Sequence, residues 1–339
     1  GSMGGGSSAA SGWTKPSSLT PSIPSIYEVL THPGRIGLAI ASGLVWTLLL
    51  MLATSSLDKV ISSNYDSWLI AFRNKFPKTS LIFRRIFGFG HDRTWMAIVA
   101  VLISDALVLD FVDPHFRPDF TSIRLLMSSM TAVFVETFVP CFIIIKIATR
   151  RFGTAGRLRA TPFGLVIGAG GVLLSRILGF LPGLLGGSTM TYDEPEYRHG
   201  ERVWLARVKV GLVLTAAGLC WVALSAIPEH GSMATLFFHD AAVIGAAAAI
   251  TGTVLDLVPF AVFGGSLLFH HAHKTWALYM AISAIAFFLL VVPQPRYWLF
   301  VGSKVLGWMI IAIVVIFTAV SILAFLQWKR GRAVETEPA

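Results

Sequence analysis

The most informative shortage in this 339-residue chain is charge. Asp, Glu, Lys and Arg together make up 13% of the residues, whereas hydrophobic residues make up 55%. Soluble globular domains carry about 25% charged residues. A single soluble core does not account for such a low charge over a chain of this length, so most of the surface must face lipid. The sequence therefore predicts an all-α, polytopic membrane bundle.

Cysteine is scarce, and common catalytic motifs are missing. The two cysteines, Cys141 and Cys220, both lie in apolar runs, which argues against a disulfide framework or a Cys/His zinc site. The sequence has no Walker loop, no GxSxG element and no dinucleotide-binding fingerprint. We therefore predict no bound cofactor, and we expect both cysteines to pack as small apolar side chains.

Apolar runs long enough to cross a membrane recur along the chain. A spanning helix needs about 20 mostly apolar residues. The seven runs that meet this requirement are 36–54, 94–112, 122–147, 207–227, 235–262, 275–293 and 298–327. Together they predict a single transmembrane domain over 31–328. A further apolar stretch at 163–186 is rich in glycine and contains Pro182, so we predict a kinked re-entrant hairpin there.

The segments outside these runs differ in composition. Small and polar residues dominate 1–30, which we expect to be a flexible tail that begins with a Gly-Ser cloning scar before Met3. Between 55 and 93, aromatic residues recur at helical spacing among basic ones, which is typical of interfacial amphipathic helices. A short helix capping the bundle is the alternative there. Residues 329–339 are expected to form a short polar tail.

The net charge of +9 comes largely from basic residues that flank the apolar runs. Such residues concentrate at 55–93, 146–162 and 329–332, whereas 113–121 and 228–234 are acidic or neutral. The positive-inside rule then places the N-terminus outside and the C-terminus in the cytoplasm of a bacterial plasma (inner) membrane. The expected partner of these charges is an anionic inner leaflet rather than nucleic acid. The predicted membrane anchors are Arg150, Arg151, Arg157 and Arg159.

Carboxyl groups inside apolar runs are costly and are therefore candidates for function. Glu136 lies mid-run shortly before Pro140, so it either stabilises a helix kink or handles a proton or ligand. Asp105 and Asp256 are the other members of a possible proton relay. Asp110 lies at the end of its run, and we expect it to be solvated.

The histidines offer weak candidates for metal ligands. His239 and Asp240 are adjacent, so on a helix they point about 100° apart and cannot both bind one ion without help. His270 and His273 are three residues apart and are expected to share a helical face. An interfacial polar cap is the favoured interpretation of this second pair.

Three stretches resemble the site-2-protease-like intramembrane metalloproteases. They are "IKIATRRFGTAGRLRATPFGLVIG", "LLSRILGFLPGLLGG" and "TGTVLDLVPFAVFGGSLLF", within 134–276. In that family a zinc-binding HExxH helix ends at a small-Ala-Arg-Arg-apolar-Gly exit, which a strand follows. An Asn-Leu-Leu-Pro…Leu-Asp-Gly element on a later helix supplies the third zinc ligand. The second stretch looks like a segment of a degenerate actinobacterial branch of the family.

The resemblance implies that the catalytic positions have been lost. Cys141 stands where HExxH would begin, Asp256 stands at the asparagine, and Gly264 stands at the aspartate ligand. Zinc catalysis needs three protein ligands and an activated water, so we expect neither zinc nor peptide hydrolysis. The chain would then be a non-catalytic protein that binds or scaffolds a partner transmembrane helix or a lipid. The expected groove residues are Glu136, Cys141, Arg176, Pro182, Asp256 and Gly264.

Two other classes of function stay open. A proton-coupled transporter would use Glu136 and Asp256. A membrane enzyme with a non-standard site would depend on a metal held by the histidines, or would be similar to lipid-phosphate phosphatases. The stretch "SRILGFLPG" and the region 58–93 carry that second resemblance, but the PSGH element is absent, and no histidine follows Ser175-Arg176 before His199.

Overall fold

The computed structural model describes residues 13–51, 94–153, 157–160, 162–178, 181–185, 189–193, 197–259 and 264–292. Within these ranges the chain is almost entirely helical, with one short antiparallel pair of strands. This agrees with the helical class that the apolar runs predict. Several predicted segments lie outside the described residues. They are the interfacial segment 55–93, the run 298–327, the tail 329–339 and the last three residues, 52–54, of the first run.

We number the elements in chain order. The helices are α1 (Ile26–Leu30), α2 (Pro33–Met51), α3 (Thr94–Asp110), α4 (Phe120–Phe152), α5 (Pro162–Leu178), α6 (His199–Ala226), α7 (Met233–Asp256), α8 (Gly265–His271) and α9 (His273–Val291). The strands are β1 (Arg157–Ala160) and β2 (Met190–Asp193).

Five of these helices, α2, α4, α6, α7 and α9, are long and apolar enough to cross a membrane. Each coincides with one of the predicted runs, so the chain has the character of a membrane protein. Helix α3 coincides with a sixth run over 17 residues, starting at the first described residue after 52–93. The total of seven spans stays a prediction.

Helix α7 lies at the centre of the described bundle. Helices α4, α6 and α9 pack against it, and 72% of its most apolar window is buried. Its middle is a run of glycine and alanine, whose small side chains let neighbouring helices approach closely. A Cβ atom added at Gly245 would lie 3.0 Å from the sulfur of Cys220 on α6. Asp240 and Asp256 lie towards the two ends of α7.

Helix α4 continues through Pro140, although proline cannot donate a backbone hydrogen bond to the preceding turn. The helix widens into a π-turn over Phe134–Phe138, immediately before this proline. Glu136 lies in the middle of the π-turn. The helix ends at Gly153, whose φ of 70° is a left-handed cap that glycine adopts readily.

The glycine-rich stretch forms a helix and a returning segment. Helix α5 continues through Gly171 without interruption, so the expected break at the glycines of this helix is wrong. The chain reverses at Pro182 and returns along α5, where the Leu184 N–H donates to Ser175 Oγ at 2.7 Å. A Cβ atom at Gly171 would lie 2.7 Å from the Leu184 carbonyl oxygen, so glycine permits this return. The re-entrant placement of the hairpin in a membrane stays a prediction.

Residues 13–25, which we call the N-terminal segment, pack against the bundle. Leu19 and Ile23 are only 0% and 2% exposed. The indole Nε1 of Trp221 donates to the Pro24 carbonyl oxygen at 2.9 Å. The flexible tail expected over 1–30 is therefore wrong for residues 13–30, because apolar side chains among the small polar ones fix this part of the chain.

Strands β1 and β2 pair antiparallel beyond the end of α4. Arg157 lies opposite Asp193, and Ala160 lies opposite Met190. The strand β1 occupies the place where the site-2-protease resemblance implies a strand.

Candidate functional site

A cavity lies between α4, α6 and α7. The space between its walls, including the solvent-filled opening, is about 510 Å³. Its lining residues are Glu136, Thr137, Pro140 and Cys141 from α4, Lys209, Val210 and Val213 from α6, and Ala249, Gly252, Thr253 and Asp256 from α7. We call it the Asp256 cavity. It brings together Glu136, Cys141 and Asp256, three of the groove residues expected from the sequence.

Helical geometry explains why these residues converge. The α7 residues that line the cavity recur three or four positions apart, and such residues share one face of a helix. The α4 residues likewise lie within two turns of each other. Gly252 adds open space, because a Cβ atom there would meet no other atom within 4 Å.

An ion pair lies at one end of the cavity. The Lys209 Nζ atom donates to Asp256 Oδ2 at 3.1 Å, and the two side chains are 22% and 24% exposed. An aspartate in the last turn of a helix faces the negative end of the helix dipole, so a nearby cation stabilises it. The sequence analysis missed Lys209. The sequence feature that could have identified Lys209 is its position as a lone lysine close to the start of the apolar run 207–227.

The carboxyl group of Glu136 is incompletely bonded. Its Oε1 atom accepts a hydrogen bond from Thr137 Oγ1 at 3.1 Å, while its buried Oε2 atom has no partner among the described residues. Buried polar atoms without a partner are rare and cost about 1–3 kcal/mol each. This oxygen is therefore a place where a proton or a hydrogen-bond donor would bind favourably.

Asp105, the third expected relay residue, lies on α3 and does not line the cavity. It is buried, and Thr189 Oγ1 donates to its Oδ2 atom at 3.0 Å. Of the three expected relay residues, only Glu136 and Asp256 therefore share the cavity.

Asp110 differs from its prediction. We expected it to be solvated, but it is fully buried, and the Ser129 hydroxyl of α4 donates to its Oδ1 atom. The expectation is wrong because α4 packs against α3 and covers this end of it. The charges of Asp113 and Asp240 act on Asp110 in turn.

A second ion pair lies near the start of α7. The Arg124 Nη2 atom donates to Asp240 Oδ2 at 3.0 Å, and both side chains are 0% exposed. Thr20 Oγ1 donates to the other carboxylate oxygen at 2.7 Å, and Arg124 Nη1 donates to the Trp13 carbonyl oxygen at 2.7 Å. We call these residues the Asp240 cluster. The sequence analysis missed Arg124, a lone arginine inside the apolar run 122–147.

The weak metal candidates do not converge. Asp240 is engaged by Arg124, and its neighbour His239 is buried at the same level of α7. His270 and His273 lie on two different helices, because α8 ends at His271 and α9 begins at His273. The expectation that they share one helical face is therefore wrong. Across the described ranges, no group of three or more His, Cys, Asp or Glu side chains is arranged to hold a metal ion.

The helix break at Ala272 brings His271 against the start of α6. Its ring centroid lies 3.9 Å from that of His199. Desolvation, followed by the nearby charges of His199, His270 and His273, lowers the pKa of His271.

The remaining groove candidates lie elsewhere. The Arg176 guanidinium lies 4.2 Å from the centre of the Phe111 ring and donates to the Phe111 carbonyl oxygen at 2.9 Å. Pro182 is buried at the reversal after α5, and Gly264 immediately precedes α8. None of these three groove candidates is among the residues that line the Asp256 cavity.

The expected anchors follow one another at the end of α4 and in β1. Arg150 and Arg151 occupy the last turn of α4, and the guanidinium of Arg151 lies 4.4 Å from the centre of the Trp204 ring. Arg157 and Arg159 belong to β1. Because Cys141 on α4 lines the cavity, the end of α4 with Arg150 and Arg151 lies beyond the cavity and away from the Asp240 cluster.

No family model, curated protein or solved structure matches this chain. The resemblance to site-2-protease-like proteins therefore stays an expectation drawn from the three quoted stretches. The function has to be inferred from the geometry of the cavity and from the carboxyl groups around it.

Proposed function

We propose that this protein is a proton-coupled membrane transporter, in which Glu136 carries the proton and the Asp256 cavity holds a small cationic solute. The supporting observation is that the incompletely bonded carboxyl group of Glu136 lines the same cavity as the Lys209–Asp256 ion pair. Ionisable groups inside membrane bundles commonly mark the pathways of ions and protons.

The charge balance of the cavity suggests how a proton and a solute would be coupled. With Glu136, Asp256 and Lys209 all ionised, the cavity holds two negative charges and one positive charge. An uncompensated charge in an apolar environment is costly, so one further positive charge binds favourably. A proton on Glu136 and a cationic solute beside it supply the same charge. Binding of one therefore disfavours binding of the other, and the transporter exchanges protons for cations.

The local backbone supports a mobile role for Glu136. A π-turn inserts an additional residue into the helical ladder, and such turns are frequent at functional sites. Here it occupies Phe134–Phe138 and is followed by Pro140, which cannot complete the ladder. This part of α4 therefore has fewer backbone hydrogen bonds that resist a change of conformation around Glu136.

Carboxyl groups on α3 extend the proposed proton route away from the cavity. Asp105 and Asp110 both lie on α3, little more than one helical turn apart. Each accepts a hydrogen bond from a hydroxyl group, that of Thr189 or Ser129. Hydroxyl groups both donate and accept protons, so they can connect successive carboxyl groups.

We further propose the orientation that the basic residues predict. The chain would cross a bacterial plasma membrane seven times with its N-terminus outside, and the stretch 163–186 would form a re-entrant hairpin. The Asp256 end of the bundle would then face the cytoplasm. The anionic inner leaflet would bind the arginines at the end of α4 and in β1, namely Arg150, Arg151, Arg157 and Arg159.

The partner-binding role that the resemblance implies has less support. Only part of the expected groove lines the cavity, because Arg176, Pro182 and Gly264 lie outside its lining. The cavity is also short, because its lining comes from at most about two turns of each of three helices. A non-catalytic scaffold that receives a partner helix or a lipid would need a longer groove.

Proton exchange by the full-length protein in liposomes tests the transport proposal. With an acidic interior and tetramethylammonium added outside, we expect the trapped pH dye to report faster alkalinisation than in empty liposomes. Glu136→Gln should slow this exchange about tenfold or more, as is typical for loss of an essential proton-carrying group. Cys220→Ser changes a residue outside the lining of the cavity and should retain the exchange. Wild-type liposomes that behave like empty ones, or unchanged exchange by Glu136→Gln, would contradict the proposal.

A further inference from the structure

Four exposed imidazoles meet where three helix ends come together. His199 begins α6, His270 and His271 end α8, and His273 begins α9. All four side chains are exposed, and none of them lines the Asp256 cavity.

Two of these imidazoles are much closer to each other than the rest. The ring centroids of His199 and His271 lie 3.9 Å apart, with their planes at 78°. The centroids of His270 and His271 lie 6.5 Å apart. Imidazoles that share one tetrahedral metal ion, with metal–nitrogen distances of about 2.0–2.1 Å, hold their centroids roughly 5 Å apart. A modest rotation of exposed side chains separates the His199 and His271 rings to that distance.

We propose that His199 and His271 form a surface site for a divalent transition-metal ion, with water completing the coordination. Neutral imidazole is a preferred ligand of zinc, copper and nickel. Calcium and magnesium prefer carboxylate and carbonyl oxygens, which this pair of side chains does not supply. Copper(II) is the tightest probe, because its affinity for nitrogen ligands exceeds that of the other divalent ions of its series.

The site takes two protein ligands rather than three. No third histidine, cysteine or carboxylate within the described ranges completes a preformed set. A metal ion would join the start of α6 to the end of α8, two helices that contact each other. The site is independent of the proposed transport function, since it requires neither Glu136 nor the cavity.

Copper(II) binding to the full-length protein in detergent tests the site. Titration followed by electron paramagnetic resonance should give one tight copper ion per chain with two nitrogen ligands. We expect His199→Gln and His271→Gln each to weaken binding about tenfold or more, because either change leaves a single imidazole. His230→Gln is a matched control, since His230 is an exposed histidine on the loop between α6 and α7. It should retain the tight site.

A second variant tests whether His199 and His271 are the ligands. The double change His270→Gln and His273→Gln removes the neighbouring imidazoles and should leave the tight copper signal in place. If it abolishes the signal while His199→Gln does not, the proposed pair is wrong. Equal weakening by His230→Gln and His271→Gln would instead identify non-specific binding to exposed histidines and would also overturn the site. Size-exclusion chromatography of each variant confirms that it is folded.

Discussion

Helix α7 carries two ion pairs that look alike by distance and differ in their surroundings. Arg124–Asp240 and Lys209–Asp256 have nearly equal nitrogen–oxygen distances, 3.0 and 3.1 Å. The first pair is fully buried and receives further hydrogen bonds from the N-terminal segment. The second is partly exposed and borders a cavity that also contains Glu136. The surroundings, not the distance, distinguish a pair that holds the fold from a pair that can rearrange.

The two ion pairs differ in which groups replace the water that each charge loses on burial. Taking two charges out of water is costly, and their attraction compensates only when the remaining hydrogen bonds are also made. At Asp240 the hydroxyl of Thr20 supplies such a bond, and Trp13 accepts one from Arg124, so that only the Nε atom of Arg124 is left without a partner among the described residues. At Asp256 the pair is partly exposed beside the open cavity, so separating it costs less than separating the fully buried pair. The described bundle thus has one fixed end and one adjustable end.

The largest difference between the two ion pairs is expected when Arg124 is replaced. Arg124→Met leaves the Asp240 carboxylate buried without its cation, and loss of one partner of a buried pair costs about 3–5 kcal/mol. We expect Tm in detergent to fall by on the order of 10 °C. The double variant Arg124→Met with Asp240→Leu removes both charges and should recover much of this loss. An unchanged Tm for the single variant would mean that the pair does not hold the fold.

A substitution at Thr20 tests how much the N-terminal segment contributes to stability. Thr20→Val preserves the shape of the side chain but removes the 2.7 Å hydrogen bond to Asp240. Hydrogen bonds to charged groups contribute about 1.5–3 kcal/mol, so Tm should fall by a few degrees. Thr31→Val is the matched control, because Thr31 is exposed and its hydroxyl bonds only to the nearby residues Glu28 and His32. Equal Tm values for the two variants would refute the structural role of the segment.

The smallest stability effect is expected at Lys209. Lys209→Met removes the cation of the partly exposed pair, and exposed pairs contribute about 0–1 kcal/mol. Its Tm should therefore stay within about 2 °C of the wild-type value. Differential scanning fluorimetry of this variant beside Arg124→Met measures the contrast between the two ends. A loss as large as that of Arg124→Met would show that both pairs are structural.

Much of the fold could be predicted because hydropathy depends on the local sequence. Five apolar runs coincide with helices long enough to span a membrane. The convergence of Glu136, Cys141 and Asp256 was also expected, although from a resemblance to a zinc site rather than from packing. Arg176, Pro182 and Gly264 do not line the cavity, and the wider groove that would include them stays a prediction, because it depends on a helix arrangement that the local sequence does not determine.

The features that were missed depend on contacts between distant parts of the chain. Arg124 and Asp240 are 116 residues apart, and nothing local indicates that they meet. The N-terminal segment has the composition of a linker, and only its burial reveals that Leu19 is part of the core. One signal was available: Arg124 and Asp240 are opposite charges that lie at similar depths near the starts of two apolar helices. Such a pair is costly in lipid unless it is joined.

The most direct test is whether Glu136 exchanges a proton while Asp240 does not. Infrared difference spectroscopy of the full-length protein across a pH titration reports the carbonyl band of a protonated carboxyl group. We expect one such band to vanish on alkalinisation, to be absent in Glu136→Gln and to persist in Asp240→Asn. A band that survives Glu136→Gln and disappears in Asp240→Asn would contradict the assignment of the adjustable end to the Asp256 cavity.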